Sequence, residues 1–341
     1  MHYMMRKSSL LTISLVVALM QIGCHPIEEF EQNNQGNFDA LWTAIDEHYC
    51  FFEDKDIDWD EVYDKYSPMI NESLSRTQLF GVCESMLNEL QDGHTNLSSG
   101  FETSYYKKWW SDYPQNFNRR LIEENYLKFE YKQLGSVIYG ILPENIGYIL
   151  MPTFSGGLSN SNIDWILSDL LTTNGLIIDI RDNGGGMMSY AETWVRHFIT
   201  KPLHAGYIVH KNGPGHNDFD APHPIEFNTP EPEHIVWIKP VVLLTNRSTF
   251  SAANYFVMCM KELPQVVHAG ATTGGGAGMP YSQELPNGWS IRMSAVKVLN
   301  SKGENTEVGI SPDSNCEIDM NPQAEAAGRD SMLEFAITLL Q

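Results

Sequence analysis

The sequence predicts an α/β protein, a layered core with a largely parallel sheet behind a small helical subdomain. Three observations carry that expectation. Beyond Asn145, short apolar strands alternate with helices. From Phe38 to Leu97, apolar residues recur at helical spacing. The 341 residues are 42% hydrophobic and include 15 Phe, 15 Tyr and 8 Trp, enough for a sizeable core and incompatible with a disordered chain. The net charge of −21, from 22 basic and 43 acidic residues, excludes a nucleic-acid backbone or an anionic membrane surface as an electrostatic partner.

The elements follow in order. Arg6 and Lys7 precede an apolar run from Leu10 to Met20 that ends at Gly23-Cys24, so residues 1–23 read as an export signal. The run is too short to span a bilayer permanently. Residues 24–37, rich in Glu, Gln and Asn, read as a solvated tether. Residues 38–97 form the helical subdomain. Phe38, Leu41, Trp42 and Ile45 mark one helix, and Ser75 with Gln78 forms a capping box opening another. Residues 98–144 are a mixed connection with an alternating edge-strand segment, Tyr126 to Tyr131. The α/β core runs over 145–320. Its strands are expected at Ile146–Met151, Leu176–Ile180, Val236–Thr245 and Val266–Gly270, and its helices at Asn162–Leu171 and Ala252–Lys261. A helix over 321–341 closes the chain.

Within the core, Lys201 to Pro240 carries seven Pro and five His, and reads as a long irregular surface connection. Its His216-x-Asp218-x-Asp220 spacing has no register that would converge ligands. The loop's other histidines, His204, His210, His223 and His234, are expected to be solvated or hydrogen-bonded, so no metal or cofactor is expected. Cys50, Cys83, Cys259 and Cys316 show no zinc spacing. Cys50 with Cys83 is the favoured pair if any disulfide forms, and buried free thiols are the alternative.

Three segments hold residue types that make chemical sense together. Asn246 to Asn254 follows an apolar strand and runs into a helix, so Ser251 projects at a strand-to-helix turn with the Ala252 N–H behind it. The bland alternative is a helix cap. Asp179-Ile180-Arg181-Asp182-Asn183-Gly184-Gly185-Gly186 lets backbone amides face an anion in a tight turn. It matches neither GxxxxGK[ST] nor GxGxxG, which argues against a nucleotide site. His94, in Asp92-Gly93-His94-Thr95, is a base if a nucleophile accompanies it. Tyr105, Tyr106, Trp109 and Trp110 are either substrate contacts or packing.

The segments LQDGHT, IIDIRDNGGG, LLTNRSTFSAANYF, GATTGGGAG and VGISPD, in that order, resemble the tail-specific (C-terminal processing) serine peptidases over roughly Phe38 to Met320. The resemblance implies a ClpP/crotonase-like spiral of βα units. No PDZ module is evident, because the fifty-odd residues between His94 and Ile146 leave too little room for one. The Lys of the family's Ser–Lys dyad falls at Gly276, so the sequence looks more like the branch of the tricorn core and the interphotoreceptor retinoid-binding protein. That resemblance implies Ser251 as nucleophile and His94 as base. It puts the oxyanion hole at Ala252 and a Gly of 184–186, with Gly185 favoured, and the third carboxylate at Glu307 with Glu304 as rival. Neither Glu falls at the family's spacing, and Asn254 stands where the family often has Glu. Gly23-Cys24 resembles a bacterial lipoprotein site, which implies lipidation at Cys24, a cell-envelope location and membrane contact through that anchor alone. The expected activity is a serine endopeptidase acting on polypeptides through an acyl-enzyme. The alternative is a non-catalytic lipoprotein that binds a peptide or apolar ligand on the same fold.

Overall fold

The structure, a computed structural model, describes residues 30–341. The export signal and Cys24 lie outside the described residues. Helix α1, Asn34–His48, starts with Asn33 as its cap, so the last residues of the expected tether are already helical. Helix α2 spans Trp59–Tyr66, and α3 spans Arg76–Leu87 behind the Ser75/Gln78 capping box. Phe38, Leu41, Ile45, Phe80, Met86 and Leu90 pack there against Trp289, Ile291 and Met293 from the far end of the sequence. The helical subdomain therefore shares its core with a late strand.

A six-stranded sheet forms the centre, in the order β2-β3-β4-β5-β8-β9. Its strands are β2 (Lys132–Leu134), β3 (Val137–Leu142), β4 (Ile146–Leu150), β5 (Leu176–Asp179), β8 (Val241–Thr245) and β9 (Val266–Gly270). The last four run parallel, whereas β2, β3 and β4 pair antiparallel. Val241 and Leu243 face one apolar layer and Val242 and Leu244 the other, the pattern of a sheet covered on both faces. One cover is built from α4 (Asn160–Leu170), α5 (Met188–Arg196) and α6 (Ala252–Met260). Every residue of α6 is buried.

A second, wholly antiparallel sheet holds β1 (Asn96–Ser98), β6 (Leu203–His210), β7 (His223–Phe227), β10 (Gly278–Glu284) and β11 (Ser290–Asn300), with β11 at its centre. This sheet corrects two expectations. The sheet content is not largely parallel. Lys201 to Pro240 is not irregular either, because it contains the β6–β7 hairpin. Pro224 concealed that hairpin from the sequence; it sits on edge strand β7, where a missing N–H is tolerated. Tyr126–Tyr131 is also corrected, since a π-helical turn over Ile122–Tyr126 leads through a bend to β2. The strand expected from Val236 begins only after Pro240. A short helix α7 (Pro322–Ala326) precedes α8 (Ser331–Thr338), in place of one closing helix. All four described cysteines are buried free thiols.

Candidate active site

The site lies beyond the carboxyl ends of β5 and β8, where parallel α/β sheets place their chemistry. Two turns meet there and are laced by side chains. Asn246 Oδ1 accepts the Asp182 N–H at 2.9 Å, Thr249 Oγ donates to the Ile180 carbonyl at 2.9 Å, and the Phe250 N–H donates to the Asn183 carbonyl at 3.0 Å. Beneath them Arg181, fully buried, is forked onto Asp179 and reaches Asp330 with Nη1.

Ser251 is held at φ 59° and ψ −123°, a region that non-glycine residues rarely adopt. Its N–H donates to the Gly275 carbonyl at 2.8 Å, and its own carbonyl accepts from Tyr255 at 2.9 Å. The strained turn lifts the hydroxyl off the helix, and no capping bond is made. Ser251 Oγ lies 2.9 Å from His94 Nε2, the geometry of a hydroxyl donating to a neutral imidazole.

His94 enters from the opposite direction. A 3₁₀ turn after α3 ends in left-handed Gln91, and Asp92 Oδ1 accepts the His94 N–H at 2.7 Å. Gly93 has to be glycine, since a Cβ there would lie 2.6 Å from Trp109 Nε1. Trp109 stacks on Phe250 at 4.0 Å, and Phe250 packs on the His94 ring at 4.8 Å. Trp109 is therefore packing, whereas Tyr105 and Trp110 remain exposed. Burial pushes the His94 pKa down to about 4, outweighing the opposite pull of Asp92. The imidazole is neutral at pH 7 and free to accept a proton.

Glu307 sits beside this pair but does not bond the imidazole. Its carboxylate accepts Lys55 Nζ at 3.1 Å and the Ala277 N–H at 2.8 Å. Burial, then Asp92, push its pKa up to about 7 against the pull of Lys55. Lys55 also donates to the carbonyls of Leu90 and Gln91, so its three protons are engaged and it is no free base. Glu304 is corrected: it is exposed on the turn after β11, bonded to Asn300, and has no link to His94. Asn254 accepts from Thr273 Oγ at 2.6 Å and donates to Thr306, bracing the segment that carries Glu307. Behind the ring, Asp92 Oδ2, Tyr49 Oη, Thr95 Oγ, Ser294 Oγ and His94 Nδ1 are buried without an aligned partner among the described residues. Sequence reasoning missed Lys55, Tyr49 and Ser294, which lie far from every motif, and assigned no role to Asp92 although it lies inside one.

The oxyanion assignment also shifts. Gly185, at φ 98°, packs against the nucleophile turn so closely that a Cβ would fall 2.8 Å from Ser251 Cβ. Its N–H already donates to Asn183 Oδ1 at 2.9 Å. Gly186 and Ala252, which line a cavity together with Ser251, have amides that make no hydrogen bond among the described residues. Within residues 184–186, the Gly186 amide is therefore available beside Ala252, whereas that of Gly185 is engaged. Both border a largely apolar cavity of about 440 Å³, with Met187, Met188, Tyr255 and Met279 among its walls. A more polar cleft of about 660 Å³ opens across Phe250, between Lys55, Tyr106, Arg247 and Glu307.

The model of peptidase family S41 matches residues 145–316, which hold the nucleophile turn and both glycine loops. The chain belongs to peptidase family S41. The model of the tricorn protease C1 domain matches residues 30–88, the helical subdomain. His94 falls between the two matched stretches. A candidate peptidase from Parabacteroides merdae, known by crystal structure, is 43% identical, with a TM-score of 0.86 over 91% of this chain and 97% of that one. The carboxy-terminal processing protease CtpA of Bacillus subtilis is 31% identical over 47% of this chain and 32% of its own length, so this chain spans about a third of that relative. Mature CPAF, at 12% identity with a TM-score of 0.67 over 91% of this chain and 96% of its own, shares the fold. The S41 match thus covers the α/β half, and the tricorn-like match covers the helical subdomain.

Proposed function

We propose that this chain is an exported, lipid-anchored serine endopeptidase of the S41 family, with Ser251 as nucleophile and His94 as general base. The observation that carries the reading is the 2.9 Å approach of Ser251 Oγ to His94 Nε2 beside two uncommitted amides. Ser251 Oγ attacks the scissile carbonyl and passes its proton to Nε2. The amides of Ala252 and Gly186 receive the oxyanion. Nε2–H then protonates the departing amine, and water, deprotonated by the same nitrogen, releases the acyl chain. The apolar cavity beside Ser251 suits an apolar side chain on the acyl side of the bond. Glu307, bonded to Lys55 and to the Ala277 N–H, braces the site rather than bonding the imidazole. Export and lipidation at Cys24 rest on the basic-apolar-Gly-Cys start of the sequence.

Covalent labelling with a fluorophosphonate tests the reading. The parent protein labels. Ser251→Ala abolishes labelling, and His94→Ala slows it by at least about 10⁴-fold. Labelling that persists in Ser251→Ala means another nucleophile. A parent that never labels favours the non-catalytic lipoprotein.

A further inference from the structure

We propose that His210, Asp220 and His223 form a binding site for a divalent transition ion of the zinc class, at the base of the β6–β7 hairpin. In the sequence these residues sit in a Pro-rich stretch with no evident register. In the fold, β6 ends at His210, β7 begins at His223, and the bridge between Lys211 and Phe219 prolongs their pairing. Ligand atoms of all three side chains lie within 4.8 Å of one another. His223 Nε2 is 2.8 Å and His210 Nδ1 3.6 Å from the same oxygen, Asp220 Oδ2. Four-coordinate zinc with bonds of about 2.0–2.1 Å separates neighbouring donors by roughly 3.3 Å, a value that lies between these two distances.

The carboxylate is already oriented. Its other oxygen, Oδ1, accepts the His210 backbone N–H at 2.9 Å, and the Asp220 N–H donates back to the His210 carbonyl at 2.9 Å. Fixing one carboxylate oxygen with a backbone amide is the supporting shell that metal-ligating carboxylates carry. Two imidazoles and one carboxylate, without a thiolate, select zinc-like ions over calcium or magnesium, which take oxygen ligands. Both rings are exposed, so an ion has direct access and solvent can fill the remaining position. Without a metal, the same residues form an exposed ion pair of negligible worth.

The position gives the site a consequence. The hairpin tip beyond it rests on the helical subdomain, where His216 Nε2 meets Asp46 Oδ1 at 2.7 Å and stacks on Phe52 at 4.2 Å. Phe219 lies under Lys297 of β11. An ion clipping the two arms together at their base steadies a tip that joins the second sheet to the helices carrying the segment of His94.

Isothermal titration of the chain with ZnCl₂, cobalt absorption spectra and hydrogen exchange of residues 211–220 together test this. The parent takes one equivalent of Zn²⁺, gives d–d bands with Co²⁺, and shows slower exchange at the tip with Zn²⁺ but not with Mg²⁺. His210→Ala, His223→Ala and Asp220→Asn each lower the affinity at least about tenfold and erase the slowing, while keeping parental fluorophosphonate labelling as a check on folding. Absence of saturable Zn²⁺ binding by the parent overturns the proposal. So does equal affinity in the histidine variants, or equal binding of Mg²⁺.

Discussion

The proposed chemistry rests on two residues, and both are held in states that water would not give them. His94 is kept neutral by burial, so its basic form persists well below the usual range for histidine. The fluorophosphonate labelling rate should therefore stay level from neutral pH to about pH 5 and fall tenfold per unit below about pH 4. A midpoint near 6.5 would mean a solvated imidazole. The same shift has a stability sign. The unfolded chain binds the proton more tightly than the native one, so stability falls as pH drops from 6.5 toward 4. Ser251 is held at a positive φ that costs roughly 1–3 kcal/mol for a residue with a Cβ. Ser251→Gly removes that Cβ whereas Ser251→Ala keeps it. Both are inactive, and the glycine variant should melt above the alanine variant by about 2 °C. The reverse order would show the turn to be unstrained.

At the scale of elements, the oxyanion loop is only as rigid as its floor. Arg181 ties β5 to the cap of α8, since Asp330 both accepts from Arg181 and caps that helix at the Leu333 N–H. Asp330→Ala leaves a buried guanidinium half-paired and should cost about 3–5 kcal/mol in urea denaturation, with labelling slowed in the same variant. A loss under about 1 kcal/mol would mean that the network is dispensable. This floor also marks what the sequence made legible. Ser251 and His94 were readable because five motifs stand in one order along the chain; alone, the hydroxyl reads equally as a helix cap. Arg181 stood inside a quoted motif, but its partner lies 149 residues away, beyond any local pattern. The choice between Gly185 and Gly186 depends on where the Asn183 side chain turns, which no spacing encodes. The hairpin was hidden by prolines that an edge strand tolerates, and β11 by its mixed polarity, since one part faces the helices and another the cavity beside Ser251.

At the scale of the molecule, the acidic surface and the buried centre are separate matters. The −21 charge is carried by the whole chain, whereas the site sets Lys55 and Arg181 against carboxylates and Arg292 against the His94 carbonyl. The lacing of that site is remote in sequence: His94 meets Ser251 across 157 positions, and Lys55 meets Glu307 across 252. Contacts of such separation form late, because loop closure has to precede them. A chain that emerges amino end first thus holds His94 early and gains Ser251 only when about three-quarters of it has been made. Until the segment of Glu307 closes over Lys55 the two are not locked in register. The timing is written into the connectivity: His94 and Ser251 can meet only after most of the chain has been made.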